Sequence, residues 1–203
     1  MKSSSKRWLK RHVRDPFVHA AKREGYASRA AFKLLGIQQK DLIFKSGMVV
    51  LDLGAAPGGW SQVARECVGK KGRVIAIDLF PVLPIPEVTV IQGDLNDPAI
   101  MNELIQILHD QPIDVILSDM APNLSGQSSI DMPRSIHLVE LALDCAEKTL
   151  RPGGTLLFKA FQGAGLDTFI QSVKTRFSQV KYRKPEASRS ESNEIYVLAL
   201  GFR

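Results

Sequence analysis

This 203-residue chain has few cysteines and no long apolar run, and each absence excludes a class of protein. Its two cysteines, Cys67 and Cys145, stand alone, without a CxxC pair or a histidine at metal-ligand spacing. We therefore expect no disulfide framework and no metal site, but two reduced, buried thiols in a cytoplasmic protein. No apolar stretch approaches the ~20 residues of a membrane-spanning helix, so we expect no membrane association.

Length and composition are those of one ordinary globular domain. The chain is 44% apolar and 24% charged, and it is long enough to bury a sizeable core. We expect a monomer.

Positive charge is concentrated near the N-terminus. Residues 1–45 carry twelve lysines and arginines against three acidic residues, a net charge of +9, whereas the whole chain is +6 and the remainder −3. This distribution favours contact with a nucleic-acid backbone. A solvated basic helix or an organellar transit peptide would look similar, although the basic region continues into a predicted helix without a cleavage-like break. We predict a basic, RNA-contacting extension at residues 1–27 and a second unit at residues 28–203.

Strand-like and helix-like segments alternate along that second unit. The alternation predicts an α/β fold with a mostly parallel seven-stranded sheet and helices on both faces. The last two strands are separated by a loop too short for a crossover helix, so they should form a C-terminal antiparallel hairpin. One predicted helix runs from an N-cap at Ser28 to about Gln39. Four more predicted helices lie near 59–68, 98–109, 134–150 and 166–177. Predicted strands cover 48–53, 73–79, 88–92, 114–119, 154–160, 179–183 and 194–201.

Charged residues occur at the ends of three of these strands. Asp119 and Lys159 follow apolar runs at carboxyl ends of parallel strands, where α/β sheets bind their ligands. Glu194 begins the final antiparallel strand, which should start at the same edge. Lys33, on the N-terminal helix, lies at the border of its apolar face and is able to reach that edge. The sequence therefore predicts that Asp119, Lys159 and Glu194 converge on one rim, within reach of Lys33.

A glycine-rich turn, Asp52-Leu53-Gly54-Ala55-Ala56-Pro57-Gly58-Gly59-Trp60, follows the first strand. It lacks the dinucleotide pattern GxGxxG because Ala56 stands where the second glycine belongs, yet it permits close approach of a nucleoside. Asp78, at the end of the second strand, suits the two hydroxyls of a ribose. Asp94, after the third strand, is placed to accept a hydrogen bond from an adenine amino group; alternatively it is a turn or N-cap aspartate.

Five segments together resemble the FtsJ/RrmJ family of S-adenosylmethionine-dependent ribosomal RNA ribose 2′-O-methyltransferases. The likeness extends over essentially the whole chain, in the family's order. The segments are Ser28-Arg29-Ala30-Ala31-Phe32-Lys33-Leu34, Asp52 to Trp60, Ser118-Asp119-Met120-Ala121-Pro122-Asn123, Phe158-Lys159-Ala160-Phe161-Gln162-Gly163 and Glu194-Ile195-Tyr196.

The resemblance implies a Rossmann-like methyltransferase fold with S-adenosylmethionine as cofactor. The partner that it implies is ribosomal RNA of the large ribosomal subunit, with a uridine of the A-loop as the target and a contribution to ribosome assembly. Carried over residue by residue, it gives the catalytic residues Lys33, Asp119, Lys159 and Glu194 and the cofactor contacts Gly58, Trp60, Asp78, Asp94 and Asp119.

The expected reaction needs an in-line oxygen and a way to offset charge on a weakly acidic hydroxyl. Lys159, oriented by Asp119, is the candidate base or alkoxide stabiliser, while Lys33 and Glu194 hold the hydroxyl. Flanking carboxylates would raise the pKa of a lysine, whereas burial, a second lysine and a sulfonium would lower it, so both roles stay open.

Three other functions fit part of this pattern. A base-amino methyltransferase would carry a motif like Asp119-Met120-Ala121-Pro122, but usually with an aromatic residue where Asn123 stands. A methyltransferase acting on another RNA, such as tRNA or an mRNA cap, would share the four charged residues. The third alternative is a ribosome-assembly factor for which RNA binding matters more than methylation.

Overall fold

A computed structural model of the protein describes residue 13, residues 15–189 and residues 192–203. The helices are α1 (Pro16–Glu24), α2 (Ala31–Asp41), α3 (Gly59–Val68), α4 (Pro98–Leu108), α5 (Ser128–Thr149) and α6 (Leu166–Arg176). The strands are β1 (Val49–Leu53), β2 (Arg73–Asp78), β3 (Val88–Gln92), β4 (Ile113–Ser118), β5 (Leu150–Phe161), β6 (Phe177–Arg183) and β7 (Glu194–Phe202).

The seven strands form one sheet in the order β3-β2-β1-β4-β5-β7-β6. The first five strands in that order are parallel, and β7 runs antiparallel between β5 and β6. Phe161 of β5 pairs with Glu194 of β7, so β7 begins at the edge where the parallel strands end. The predicted α/β fold and its terminal hairpin are therefore confirmed.

The core lies on both faces of the sheet because successive strand side chains point to opposite sides. On one face, buried residues of α2 and α3 pack against alternate positions such as Leu157 and Leu198. On the other face, α4, α5 and α6 cover the intervening positions such as Leu156 and Phe158. Burial on both faces explains why β1 and β4 are mainly apolar, with Asp52, Asp114 and Ser118 as the exceptions.

Three element starts differ from the predictions by three residues or more, and one of them is β5, which begins at Leu150 rather than at 154. Ser28 does not cap a helix directly, because a turn intervenes and α2 begins at Ala31 with Ala30 as its N-cap. Helix α5 begins at Ser128 rather than near 134, and it contains Pro133 inside the helix. Among the cysteines, Cys145 is buried as expected, whereas Cys67 is only partly buried. In the described part of the chain, no helix is long and apolar enough to cross a membrane.

The described part of the predicted N-terminal extension packs against the rest of the chain. Helix α1 buries Val18 and Ala21, and the Phe17 ring lies 5.6 Å from the Phe32 ring of α2, centroid to centroid. Arg29 forms an ion pair of 2.8 Å with Asp15. The boundary at residue 27 stays a prediction, and the basic residues of positions 1–12 and Arg14 lie outside the described residues.

Candidate active site

The predicted pair Asp119 and Lys159 meets at the carboxyl ends of β4 and β5. The Lys159 ammonium donates to the Asp119 carboxylate at 3.0 Å and to the Asp119 backbone carbonyl at 2.5 Å. Lys159 is 8% exposed, so its charge is largely removed from water and depends on these partners. Two bonds to one residue fix the direction of the ammonium at the sheet edge.

The second predicted pair lies on the other side of a tyrosine. The Lys33 ammonium is 2.8 Å from the Glu194 carboxylate and donates to the Tyr196 hydroxyl at 3.0 Å. The Tyr196 hydroxyl in turn donates to the Asp119 carboxylate at 2.7 Å. The structure thus brings all four predicted residues into one continuous hydrogen-bonded chain, from Lys159 through Asp119, Tyr196 and Lys33 to Glu194.

Tyr196 is the site residue that sequence reasoning did not assign. Its ring is fully buried and packs against the Trp60 ring at 5.6 Å between centroids. Burial and the neighbouring carboxylates of Asp119 and Glu194 raise its pKa well above the usual value, so the phenol keeps its proton. It therefore acts as a neutral bridge that both donates and accepts a hydrogen bond.

Packing beneath the sheet edge positions Lys33. The Trp60 indole donates to the Ala30 carbonyl at 2.8 Å, which fixes the start of α2 three residues before Lys33. Trp60 is 2% exposed. It contacts both the start of the helix that carries Lys33 and the tyrosine that Lys33 binds, so it supports the site from behind.

A cavity of about 310 Å³ lies beside this cluster, over the ends of β1, β2 and β4. Three of the predicted residues line it, namely Asp78, Asp94 and Asp119. The Asp78 carboxylate accepts from the backbone N–H groups of Ala56 at 2.9 Å and Phe80 at 2.8 Å. Asp94 accepts from the backbone and side chain of Asn96, and these bonds lower its pKa, so it stays ionised.

Gly54, in the cavity wall, packs closely against Met120, which also lines the cavity. Its φ is +73°, and an added Cβ would lie 2.5 Å from the Met120 side chain. Gly58 adopts φ +119° and faces Val82 and Ile85. Neither Gly58 nor Trp60 is among the described residues that line the cavity, so their predicted cofactor contacts stay predictions.

The carboxylates that line the cavity fit the predicted cofactor. S-adenosylmethionine has a ribose diol and an adenine amino group, which donate hydrogen bonds, and a cationic sulfonium. Carboxylates accept hydrogen bonds from the first two and attract the third. Asp78, Asp94 and Asp119 supply three carboxylates along the cavity. In the described residues, no group of three or more His, Cys, Asp or Glu side chains is arranged to hold a metal ion.

A fourth carboxylate lies buried beneath the cavity. Asp52 of β1 is fully buried and accepts from the Ser61 hydroxyl at 2.6 Å, while its other oxygen has no partner among the described residues. Burial is the main cause that raises the pKa of Asp52 to about 7, and the charges of Asp119 and Asp78 add to it. This residue is therefore partly protonated near neutral pH.

Comparison with solved structures places the chain among methyltransferase folds. Fibrillarin of Aeropyrum pernix, solved with bound S-adenosylmethionine, aligns with a TM-score of 0.57 at 16% identity, covering 85% of this chain and 74% of that one. A Plasmodium falciparum protein described as a ribosomal RNA methyltransferase aligns with a TM-score of 0.78 at 33% identity, covering 87% and 98%. The fold and the site thus define a Rossmann-like methyltransferase.

Sequence comparison identifies the family. The model of the FtsJ-like methyltransferases matches residues 26–202, so the chain belongs to that family. Proteins named "Ribosomal RNA large subunit methyltransferase E" are 57% identical in Coxiella burnetii, over 96% of this chain and 94% of theirs, and 51% identical in Pseudomonas aeruginosa, over 98% and 97%. Family membership confirms the predicted methyltransferase class and, with it, S-adenosylmethionine as the cofactor.

Proposed function

We propose that the protein methylates the 2′-hydroxyl of a ribose in large-subunit ribosomal RNA, the target being a uridine of the A-loop within the assembled subunit. The names of relatives at 50–57% identity support ribosomal RNA as the substrate. The observation that carries the choice of a hydroxyl is the Lys159–Asp119 contact, because Asp119 also lines the cofactor cavity. Lys159, which would contact the acceptor hydroxyl, is therefore adjacent to the cavity for the methyl donor.

The geometry supports a division of labour among the four charged residues. Bound S-adenosylmethionine supplies an activated methyl group, so no acid is needed for its leaving group. Lys159 directs two N–H groups to Asp119, which leaves one position of its ammonium for the 2′-oxygen. Lys33 and Glu194 lie at the far end of the hydrogen-bonded chain and orient the hydroxyl from there. Fixed charges of this kind stabilise negative charge that develops on the oxygen.

An amino group on a base is a poorer acceptor for this site. Methyltransferases of that class hold the flipped base against an aromatic residue after the proline of their motif, whereas Asn123 follows Pro122 here. Two lysines at the acceptor side suit an oxygen that gains negative charge. Because all these side chains belong to one chain, a monomer suffices for the reaction. We expect the protein to act in the cytoplasm, where its ribosomal substrate is.

Mapping of ribose methylation tests the proposal. Ribosomal RNA from cells that lack the protein should lose one 2′-O-methyl group, at a uridine in the A-loop of the large-subunit RNA. Wild-type protein should restore it, and an inactive Lys159→Ala protein should not. If the inactive protein restores normal ribosome assembly without the methyl group, the main role is instead RNA binding. An unchanged methylation map would overturn the proposal.

The basic N-terminus should contribute to RNA affinity. Residues 1–12 carry five positive charges at Lys2, Lys6, Arg7, Lys10 and Arg11 and precede the packed helix α1. Their deletion should weaken RNA binding and flatten its salt dependence, with the slope of log K against log salt reduced by up to about 4. Cofactor affinity should stay unchanged because the described residues that line the cavity all fall between Leu53 and Leu141. The control removes two exposed lysines, Lys148→Ala and Lys174→Ala; equal salt slopes for wild type and deletion would contradict the prediction.

A further inference from the structure

A second cleft opens at the same sheet edge, on the side of the catalytic cluster away from the cofactor cavity. Its volume is about 360 Å³, within the ~300–1,000 Å³ typical of ligand clefts. Its wall includes the end of β5, the residues just before β7 and the first turn of α5. The residues that line it include Leu124, Asp131, Met132, Phe161, Gln162 and Asn193.

The strand order places this cleft next to Lys159, close enough for a single nucleotide to contact both. The cofactor cavity lies over β2, β1 and β4, Lys159 stands on the next strand, β5, and the cleft begins at the end of β5 and the start of β7. Lys159 and Phe161 alternate onto the same side of β5, about 6.6 Å apart along the strand. Asn193 directly precedes Glu194 at the other end of the cluster. A ribose held at the cluster would thus have its base at the cleft.

The chemistry of the wall suits a neutral, flat, hydrogen-bonding group. Phe161 supplies an aromatic ring, and Gln162 and Asn193 supply exposed amides, which each present a donor beside an acceptor. Leu124 and Met132 add apolar surface. The described residues that line the cleft include no lysine or arginine, which argues against a phosphate as the occupant.

One carboxylate in the wall already has its partners. Asp131 accepts from the backbone N–H groups of Ser125 and Gly126, at 2.8 and 2.9 Å, and from the Ser125 hydroxyl at 2.9 Å. These bonds fold the loop before α5 into the side of the cleft. Asp131 therefore shapes the wall. Phe161, Gln162 and Asn193 are the residues left to contact a ligand in the cleft.

We propose that this cleft binds the base of the nucleotide whose ribose is methylated, extruded from the RNA, with Phe161 against its face and the amides of Gln162 and Asn193 on its edge. The inference rests on the function proposed above and adds how the enzyme selects its target. Recognition of RNA commonly combines aromatic stacking with hydrogen bonds to the edge of an unstacked base.

The test combines a double variant, Gln162→Ala with Asn193→Ala, with large ribosomal subunits in which the target uridine is replaced by cytidine or adenosine. On unaltered subunits the variant should lose about 5–150-fold in kcat/KM, the range of a base-edge contact. The wild type should discriminate between the bases, and the variant should lose that discrimination. Cofactor affinity should be unchanged, because neither amide lines that cavity.

A matched control replaces the same residue types on distant surfaces, Asn102→Ala on α4 with Gln179→Ala on β6, and should behave as wild type. If the cleft variant keeps the discrimination of the wild type, or loses activity equally on every base, the inference fails while the proposed function stands. If the wild type methylates no ribose on unaltered subunits, the proposed function fails, and the inference fails with it.

Discussion

Replacement of Lys159 by alanine should lower the rate of methyl transfer at least ~10²–10⁴-fold, the contribution of a positioned proton acceptor or charge stabiliser. The substitution removes both bonds to Asp119 and the only lysine of the cluster that contacts this carboxylate in the described chain. Tyr196 still donates to Asp119 at 2.7 Å, so the carboxylate keeps a partner. Single-turnover assays on large ribosomal subunits measure the rate, and calorimetry should find cofactor affinity little changed.

The second lysine provides a stricter form of this test. Lys33 joins the same hydrogen-bonded chain from the other end, through Tyr196. Residues that act as one unit do not contribute independently, so combining Lys33→Ala with Lys159→Ala should cost less than the product of the two single losses. Lys148→Ala, an exposed lysine of α5, is the control for loss of a positive charge. Methylation near the wild-type rate by Lys159→Ala would refute the assignment.

Replacement of Asp52 by asparagine should stabilise the protein more at pH 8 than at pH 5. The folded pKa of about 7 lies above the ordinary value of 3.8, because burial disfavours the ionised form. The contribution of Asp52 to stability is therefore greatest below the unfolded pKa. It declines as pH rises from about 4 to about 7, and it changes no further above that range. The total decline corresponds to ~4 kcal/mol, at 1.36 kcal/mol for each pKa unit.

Asparagine has nearly the shape of aspartate and carries no charge, so the variant should lack this decline. Its amide oxygen is able to accept the Ser61 hydrogen bond that Asp52 accepts at 2.6 Å. Urea unfolding at several pH values from 5 to 8 measures the difference in free energy of unfolding between variant and wild type. That difference should shift in favour of the variant as pH rises. Asp144→Asn, an exposed carboxyl on α5, is the control, and a difference independent of pH would contradict the assignment.

Much of the sheet was predictable because its central strands are mainly apolar. β4, for example, is buried on both faces, and its sequence is apolar at all positions except Asp114 and Ser118. The charged residues after β4 and within β5 were placed correctly at one edge because parallel strands end together. The hairpin followed from loop length alone, since nine residues cannot form a crossover helix.

Other features depended on contacts that no local pattern contains. Tyr196 looks like an ordinary core residue, since it stands in an apolar strand, and only tertiary packing directs its hydroxyl to Asp119 and Lys33. The early start of α5 was missed because Pro133 usually marks the first turn of a helix, whereas here it is the sixth residue. The position of α1 against α2 likewise depends on packing at Phe17 and Phe32.

The hydrogen-bonded chain from Lys159 to Glu194 is electrically balanced. It contains two ammonium groups and two carboxylates, joined by a phenol that keeps its proton. Dissolved ions act weakly on opposite charges in direct contact, whereas they screen an unbalanced cluster such as residues 1–12 strongly. Ionic strength should therefore govern how readily the enzyme captures its RNA, and it should leave almost untouched the speed at which a captured ribose reacts.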